Sequence, residues 1–492
     1  MPTGERRRMS LRLFVLALVL PALVAGASPP ALAQNMGPAA YDPVTLAALP
    51  AIVAAAQKSD YAYRQDEFLS DAIGPRLSGS PQAEAAVTYV AEQLRQLGLE
   101  VRLEPVMVSH WVRGEETASL TDWPGRMAPT EQKIVLTALG MSVATPPQGL
   151  DAEVVVVDNF EALHRLGDAV RGKIVLYDVK YDKRLEAAGA GGDAYGQVIG
   201  YRFAGPSVAS RLGAVATLVR SLGGADYRLP HTGSTGYEKG IKAIPAAAIS
   251  TEDADLIARL AARGPVRMHL TLTPKLLPDA PSANVIADLR GSEFPDQVVI
   301  VSGHLDSWDL GTGATDDGAG VAQAMGTMAV LHDLGLRPLR TIRCIAWMNE
   351  ENGVAGGRAY AHDEAAQLAK IAGAIESDSG ADRPIGFGTS LSDASAPFLQ
   401  PIADALAADG APRITFSNGS EVDVNPMADL GVPVYAPVQE SRTYFDYHHT
   451  PADTFDKVDP VGMAANTAVV ATLAYGLANA RTLPARETFH ER

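Results

Sequence analysis

Four short stretches hold residue types that suit metal chemistry. In the first, His304, Asp306, Asp309, Asp316 and Asp317 crowd a segment broken by glycines. So many carboxylates in so short a segment repel one another unless a cation or solvent lies between them. Gly311 to Gly318 has the look of a nucleotide-phosphate loop, but Asp316 and Asp317 would oppose a pyrophosphate and no Lys follows. An ordinary acidic surface loop is the other bland reading. Three further stretches weaken it: Asn349-Glu350-Glu351-Asn352-Gly353, Glu376-Ser-Asp378-Ser-Gly380, and Tyr447-His448-His449-Thr-Pro-Ala-Asp453-Thr. Two His and three carboxylates, one bridging, suit two zinc ions with room for water. Mixed nitrogen and oxygen donors without Cys favour zinc, with manganese or cobalt as alternatives. Two such ions share a hydroxide, lower its pKa and hold the oxygen that charges up during attack. One extra carboxylate must then shuttle the proton. The pair Glu350-Glu351 offers one group for the metal and one for the water.

Each cluster follows an apolar run. Val298–Val301, Arg340–Met348 and Ala372–Ile375 read as short buried strands, and Ala283–Leu289 and Val432–Ala436 as two more. Helical spacing runs through Ala319–Leu334, Val354–Ala369, Phe398–Ala408 and Val461–Asn479. Alternation of this kind predicts an α/β fold with a mostly parallel central sheet flanked by helices. The carboxyl ends of parallel strands share one edge, where sites collect. His304, Asp316, Glu350, Glu351, Asp378 and His449 are therefore expected to converge there.

Upstream, Gln82 to Leu97 places Ala86, Val87, Val90, Ala91, Leu94 and Leu97 on one helical face, and Leu99–Val106 reads as a strand. The loop before the helix holds Arg76, a candidate for a substrate carboxylate or, as the preferred reading, a structural salt bridge. Residues 126–277 have another texture, with β-rich runs at Val154–Val157 and Lys173–Tyr177, an apolar Ile244–Ile249 that opens with Ile-Pro, helical spacing at Val208–Ser221 and Thr251–Arg263, and a loop-like Tyr195–Tyr237. His164 and His231 stand alone in this block, and lone histidines are usually satisfied surface or core residues. The block reads as an inserted, non-catalytic domain. The expected organisation is 1–33 as signal peptide, 34–125 with 278–481 as a discontinuous catalytic domain, 126–277 as the insertion, and 482–492 as tail.

The chain of 492 residues carries a net charge of -16, which argues against nucleic-acid or anionic-membrane partners. Its one cysteine, Cys344, lies in an apolar run and reads as core. The basic Arg6–Arg8, apolar Leu13–Ala25 and Ala31-Leu-Ala33 form an export signal cleaved near Ala33, with an uncleaved anchor as the alternative. No later segment reads as a bilayer span. The mature protein is expected in the periplasm or outside the cell, with a homodimer possible.

Gly303-His-Leu-Asp-Ser, Gly313-Ala-Thr-Asp-Asp-Gly, Glu350-Glu-Asn-Gly, Glu376-Ser-Asp and His449-Thr-Pro-Ala-Asp-Thr together resemble the signature of the co-catalytic zinc exopeptidases. The stretch from His304 to Gly313 is most similar to the carboxypeptidase Q branch. Val170-Arg-Gly-Lys-Ile-Val-Leu and Ile244-Pro-Ala-Ala-Ala-Ile resemble a protease-associated domain. The resemblance implies that His304 and Asp378 hold one zinc, Glu351 and His449 the second, and that Asp316 bridges them. It also implies Glu350 as general base, Asp306 as the carboxylate orienting His304, Asp317 as loop support, and a cis bond after Asp316. The substrate class it implies is peptide, with dipeptidase or carboxypeptidase action ahead of aminopeptidase action. Asn418-Gly-Ser-Glu-Val-Asp423 departs from the Ser-Asp-His form of some aminopeptidases. Tyr444 and Tyr447 are left as packing residues rather than oxyanion donors. A non-catalytic receptor on the same fold, and a one-zinc cyclase acting on N-terminal glutamine, are the remaining alternatives.

Overall fold

A computed structural model describes residues 40–416 and 421–486. The signal sequence, its cleavage site and Asn418–Ser420 lie outside these residues. The described chain is built on two eight-stranded sheets. The first runs in the order Glu100–Val112, Lys275–Leu289, Arg340–Trp347, Phe294–His304, Ile371–Glu376, Val434–Gln439, Pro384–Thr389 and Arg413–Phe416. Its four middle strands, from Arg340–Trp347 to Val434–Gln439, are parallel. Antiparallel pairs extend it on both sides. The α/β expectation with a parallel centre is thus met.

Register decides where the site lies. His304 pairs with Trp347, and Ser302 pairs with Glu376. The three strands therefore end level, and whatever follows each one emerges at the same edge. Val299, Ile300 and Val301 are fully buried; each such side chain contributes about 1.5–3 kcal/mol through removal from water. Cys344 sits in the same layer, buried and unpaired, as expected.

Helices cover the sheet closely. Ala319–Asp333 is buried at every residue from Ala319 to Leu331. It reaches the strand ends because two glycines permit the approach: a Cβ on Gly303 would lie 2.5 Å from Val321 N, and one on Gly320 only 1.8 Å from the Ser377 carbonyl oxygen. Pro81–Gln96 starts at an N-cap, with Ser80 Oγ accepting from Ala83 N–H at 3.1 Å, and buries the face expected from its spacing. Pro460–Asn479 is capped by Asp459, whose carboxylate accepts from Gly462 N–H at 2.9 Å. Against expectation, this last helix does match a bilayer span in length and apolarity, but 83% of its most apolar window is buried inside the fold. It is a core helix whose apolar surface is spent on the sheet and on neighbouring helices.

The second sheet takes its strands from Glu116–Asp122 through Arg267–Leu272, so it begins ahead of residue 126. Two local expectations fail here. Val208–Ser221 is not one helix: Gly205–Arg211 is helical, the chain reverses at Gly213 (φ +89°), and Ala216–Arg220 is a fully buried strand. Ala-Thr-Leu-Val-Arg, with three apolar positions of five, cannot be assigned by periodicity alone, and Gly213 supplies the break. Tyr195–Tyr237 is accordingly not a loop throughout, and also contains the short helix Ile199–Phe203.

Candidate metal centre

His304 ends its strand, and Asp316 lies in the wide turn Ala314–Gly318 that follows. Glu350 and Glu351 leave Arg340–Trp347, and Asp378 leaves Ile371–Glu376. His449 follows the helical turn Tyr444–Tyr447. Three trios result among them: His304, Glu350 and Glu351, and two that share Asp316, namely His304, Asp316 and Asp378, and Asp316, Glu351 and His449. Asp316 serves both with different oxygens. Its Oδ1 lies 3.1 Å from His304 Nε2, and its Oδ2 lies 3.2 Å from His449 Nε2. Asp378 Oδ1 is 3.4 Å from His304 Nε2, and Glu351 Oε2 is 3.2 Å from His449 Nε2. Donors at about 2.0–2.1 Å from a tetrahedral zinc stand ~3.3 Å apart. The four spacings fit that edge length.

Charge and hydrogen bonding favour a cation here. Among the described residues, Glu351 Oε1 and Asp378 Oδ1 are buried without a hydrogen-bond partner. Burial, and then repulsion from Asp316, push the Glu351 carboxyl well above the usual range. Glu350 and Asp378 are raised, again chiefly by burial. Burial also works against ionised Asp316, but His448 and the hydrogen bonds from His304 and His449 hold it well below the usual carboxylate range. Burial draws His449 down, toward the neutral imidazole that a metal needs. The residues present therefore fit zinc in donor type, spacing and unmet charge.

Supporting contacts set the ligands. His304 Nδ1 donates to the Asp306 main-chain carbonyl at 2.9 Å, which aims Nε2 at Asp316 and Asp378. The Asp306 carboxylate, expected to orient His304, does something else. Its Oδ1 stands 3.9 Å from His304 Nδ1 and accepts from Asn349 N–H at 2.7 Å and Glu350 N–H at 3.0 Å, while Oδ2 accepts from Ser78 at 2.7 Å. It thereby fixes the turn that carries Glu350 and Glu351. Asp317 accepts from His304 N–H at 2.9 Å and Gly320 N–H at 2.8 Å, and the Asp316–Asp317 peptide is cis. Asp453 ties the His449 loop to the bridge by accepting from Thr315 N–H at 2.7 Å and Asp316 N–H at 3.2 Å. Asp309 lies apart from the ligands and pairs with Arg113 at 2.6 Å. Arg76 is fully buried and donates to main-chain carbonyls of Leu305, Thr312 and Gly313 at 2.7–2.9 Å. It is structural, but through carbonyls rather than an ion pair.

A cavity of about 600 Å³ opens on the trios. Tyr444, His448 and Arg358 line it, and so do Tyr195, Arg202 and Ser234. The last three belong to the second sheet's segment, which by its sequence reads as remote from chemistry. His231 is likewise not isolated: its Nε2 lies 3.1 Å from His448 Nδ1, and its ring is 5.2 Å from that of His449. No spacing in the sequence signals this, because the two segments meet only through tertiary docking. Tyr447 stands away from this cavity, under the Lys457 ammonium.

The family model described as "Peptidase family M28" matches residues 284–474. Carboxypeptidase Q of Mus musculus is 38% identical over 419 residues, covering 85% of each chain. The chain belongs to peptidase family M28. Carboxypeptidase Q of Homo sapiens is 37% identical over the same shares. The crystal structure of a peptidase M28 precursor from Shewanella amazonensis SB2B superposes with a TM-score of 0.85 at 38% identity, over 90% of this chain and 99% of that one. An aminopeptidase from Aneurinibacillus sp. strain AM-1 shares the fold, with a TM-score of 0.62 at 20% identity over 88% and 97%. Membership in M28 makes this chain a zinc-dependent exopeptidase, and the resemblance carried by the five motifs is borne out.

Proposed function

We propose that the protein is an exported di-zinc exopeptidase acting on dipeptides or short peptides in the manner of carboxypeptidase Q. The carrying observation is the pair of trios that share Asp316 through different oxygens. His304, Asp316 and Asp378 would hold one ion, and Asp316, Glu351 and His449 the other. Bound zinc would supply a Lewis acid that lowers the pKa of water and polarises the scissile carbonyl. Glu350 lines the same cavity without belonging to either of those trios, and we assign it the proton transfer: it takes a proton from the attacking water and gives it to the leaving amine. The raised carboxyl of Glu350 suits a group that must hold a proton between the two steps. Asp306 keeps Glu350 in place through its main-chain amide. The second sheet is the proposed protease-associated insertion, and the N-terminal segment the export signal. Aminopeptidase action is the alternative polarity.

The test uses the zinc-loaded chain from residue 34 and its Glu350→Gln variant on free and end-blocked dipeptides. Two zinc per chain in both, with kcat lower by about 10²–10⁴ in the variant, is the expected result. Equal activity in the variant refutes the role of Glu350. Blocking one terminus at a time identifies which end is read.

A further inference from the structure

The two ligand histidines are held differently. His304 is set from its own loop, by the Asp306 carbonyl two residues on. His449 is set from the other sheet's segment. Thr232 N–H donates to the His449 carbonyl at 2.9 Å, and the Thr232 carbonyl lies 3.3 Å from His449 Nδ1. One residue thus grips His449 by main chain and by ring. The grip matters because His449 has φ +59°, a left-handed conformation that a side chain with a Cβ disfavours.

Behind Thr232 stands Arg202, only 5% exposed. Its Nη1 donates to the Thr232 carbonyl at 3.1 Å and to Tyr195 Oη at 2.6 Å, and lies 3.2 Å from His449 Nδ1. A guanidinium only donates. When His449 Nε2 binds metal, Nδ1 carries the proton and must donate, so the Thr232 carbonyl accepts from both His449 and Arg202. Gly233 (φ +127°) makes room: a Cβ there would lie 2.1 Å from Arg202 Nη1. His231 and Tyr195 complete the contact by packing on His448, which stacks on His449 at 3.6 Å.

We propose that Arg202 and Thr232 are positioning residues of the metal centre, so that zinc between Asp316, Glu351 and His449 depends on the inserted sheet while zinc at His304 and Asp378 does not. The inference rests on the two-ion reading above. It makes the second segment a working part of the site rather than an appendage.

The experiment strips the full chain with chelator and titrates zinc back against a competing indicator, with bound metal counted by mass spectrometry. The chains are wild type, Arg202→Met, Arg202→Lys, Tyr195→Phe, His449→Ala and the Arg202→Met/His449→Ala double variant. Loss of an outer partner typically weakens metal binding about 10–100-fold. Arg202→Met is expected to weaken one ion by that factor and leave the other unchanged. Tyr195→Phe shifts the same ion less, and Arg202→Lys, which keeps a donor to the Thr232 carbonyl, recovers most of the loss. In the His449→Ala background the Arg202→Met effect disappears, which a general structural defect would not produce. Equal weakening of both ions, no weakening, or an undiminished effect in the double variant overturns the proposal. If Arg202→Met does not fold, as thermal unfolding of the stripped chains would show, Tyr195→Phe takes its place: weakening of one ion alone supports the proposal, and equal or no weakening overturns it. A wild-type chain that holds a single ion sinks the two-ion reading and this inference with it, whereas two ions with unchanged affinities in the variants sink this inference alone.

Discussion

Arg76→Met removes a cation that no solvent reaches. The guanidinium donates to the carbonyls of Gly313 at 2.7 Å, Thr312 at 2.8 Å and Leu305 at 2.9 Å, with longer contacts to Gly74 and Leu69. These three closest carbonyls belong to the loop between His304 and Asp316. A hydrogen bond from a charged donor contributes about 1.5–3 kcal/mol. The three short bonds, taken at the low end, give a loss of about 4–5 kcal/mol, the size expected when a buried charge loses its setting. Unfolding entropy near 2.1 cal/mol/K per residue, over a cooperative unit of about 450 residues, turns this into a drop in Tm of about 5 °C. Calorimetry of the zinc-loaded proteins measures it, with KM on free dipeptides followed in parallel. A shift below about 1 °C refutes the structural account. If KM rises steeply while Tm stays put, Arg76 binds the substrate carboxylate instead.

Other expectations follow from close approaches and from titration. Gly320→Ala drives a Cβ to 1.8 Å from the Ser377 carbonyl and 2.4 Å from the Asp317 carboxylate; a loss of about 3 kcal/mol or more is expected in urea unfolding, together with reduced zinc content, and a variant of wild-type stability would show that helix and strand end separate freely. Burial, and then the neighbouring Asp446, push the Glu186 carboxyl up to about 7. Its folded value exceeds its unfolded one, so its ionisation destabilises the fold increasingly as pH rises from 4.5 to 7, and fully above that window. Glu186→Gln should therefore melt higher than wild type at about pH 8, with the gap closing below about pH 4.5, and a pH-independent gap would contradict this. Chelation should abolish peptide cleavage and lower Tm, both restored by zinc, and full activity in the stripped protein would exclude a metal-dependent reaction.

Much of the ligand set is legible because His304 ends its strand and Glu351 and Asp378 come shortly after theirs, while Asp316 and His449 stand on loops farther from any strand end. Level strand ends do the rest, since His304 against Trp347 and Ser302 against Glu376 follow from pairing three parallel strands. What is not legible is set by contacts across the chain. Thr232 meets His449 only when the second sheet docks, and no periodicity encodes docking. Asp306 departs from expectation for a related reason: the family resemblance implies a His–carboxylate contact, but the chain turns so that the carbonyl faces His304 and the carboxylate faces the next strand's exit. Ala216–Arg220 reads as helix from its sequence because its buried apolar residues carry no alternation.

The single cysteine has a use of its own. Cys344 is 1% exposed, pairs with Ala287 on one side and Val301 on the other, and its thiol is pushed up to about 12 by burial. A thiol reagent can reach it only when strands in the middle of the first sheet part, and no competing thiol exists in the chain. The rate of labelling under native conditions is therefore a site-specific clock for global opening, free of any engineered probe. Run with and without zinc, that clock reads directly how firmly the metal centre bolts the strand ends together.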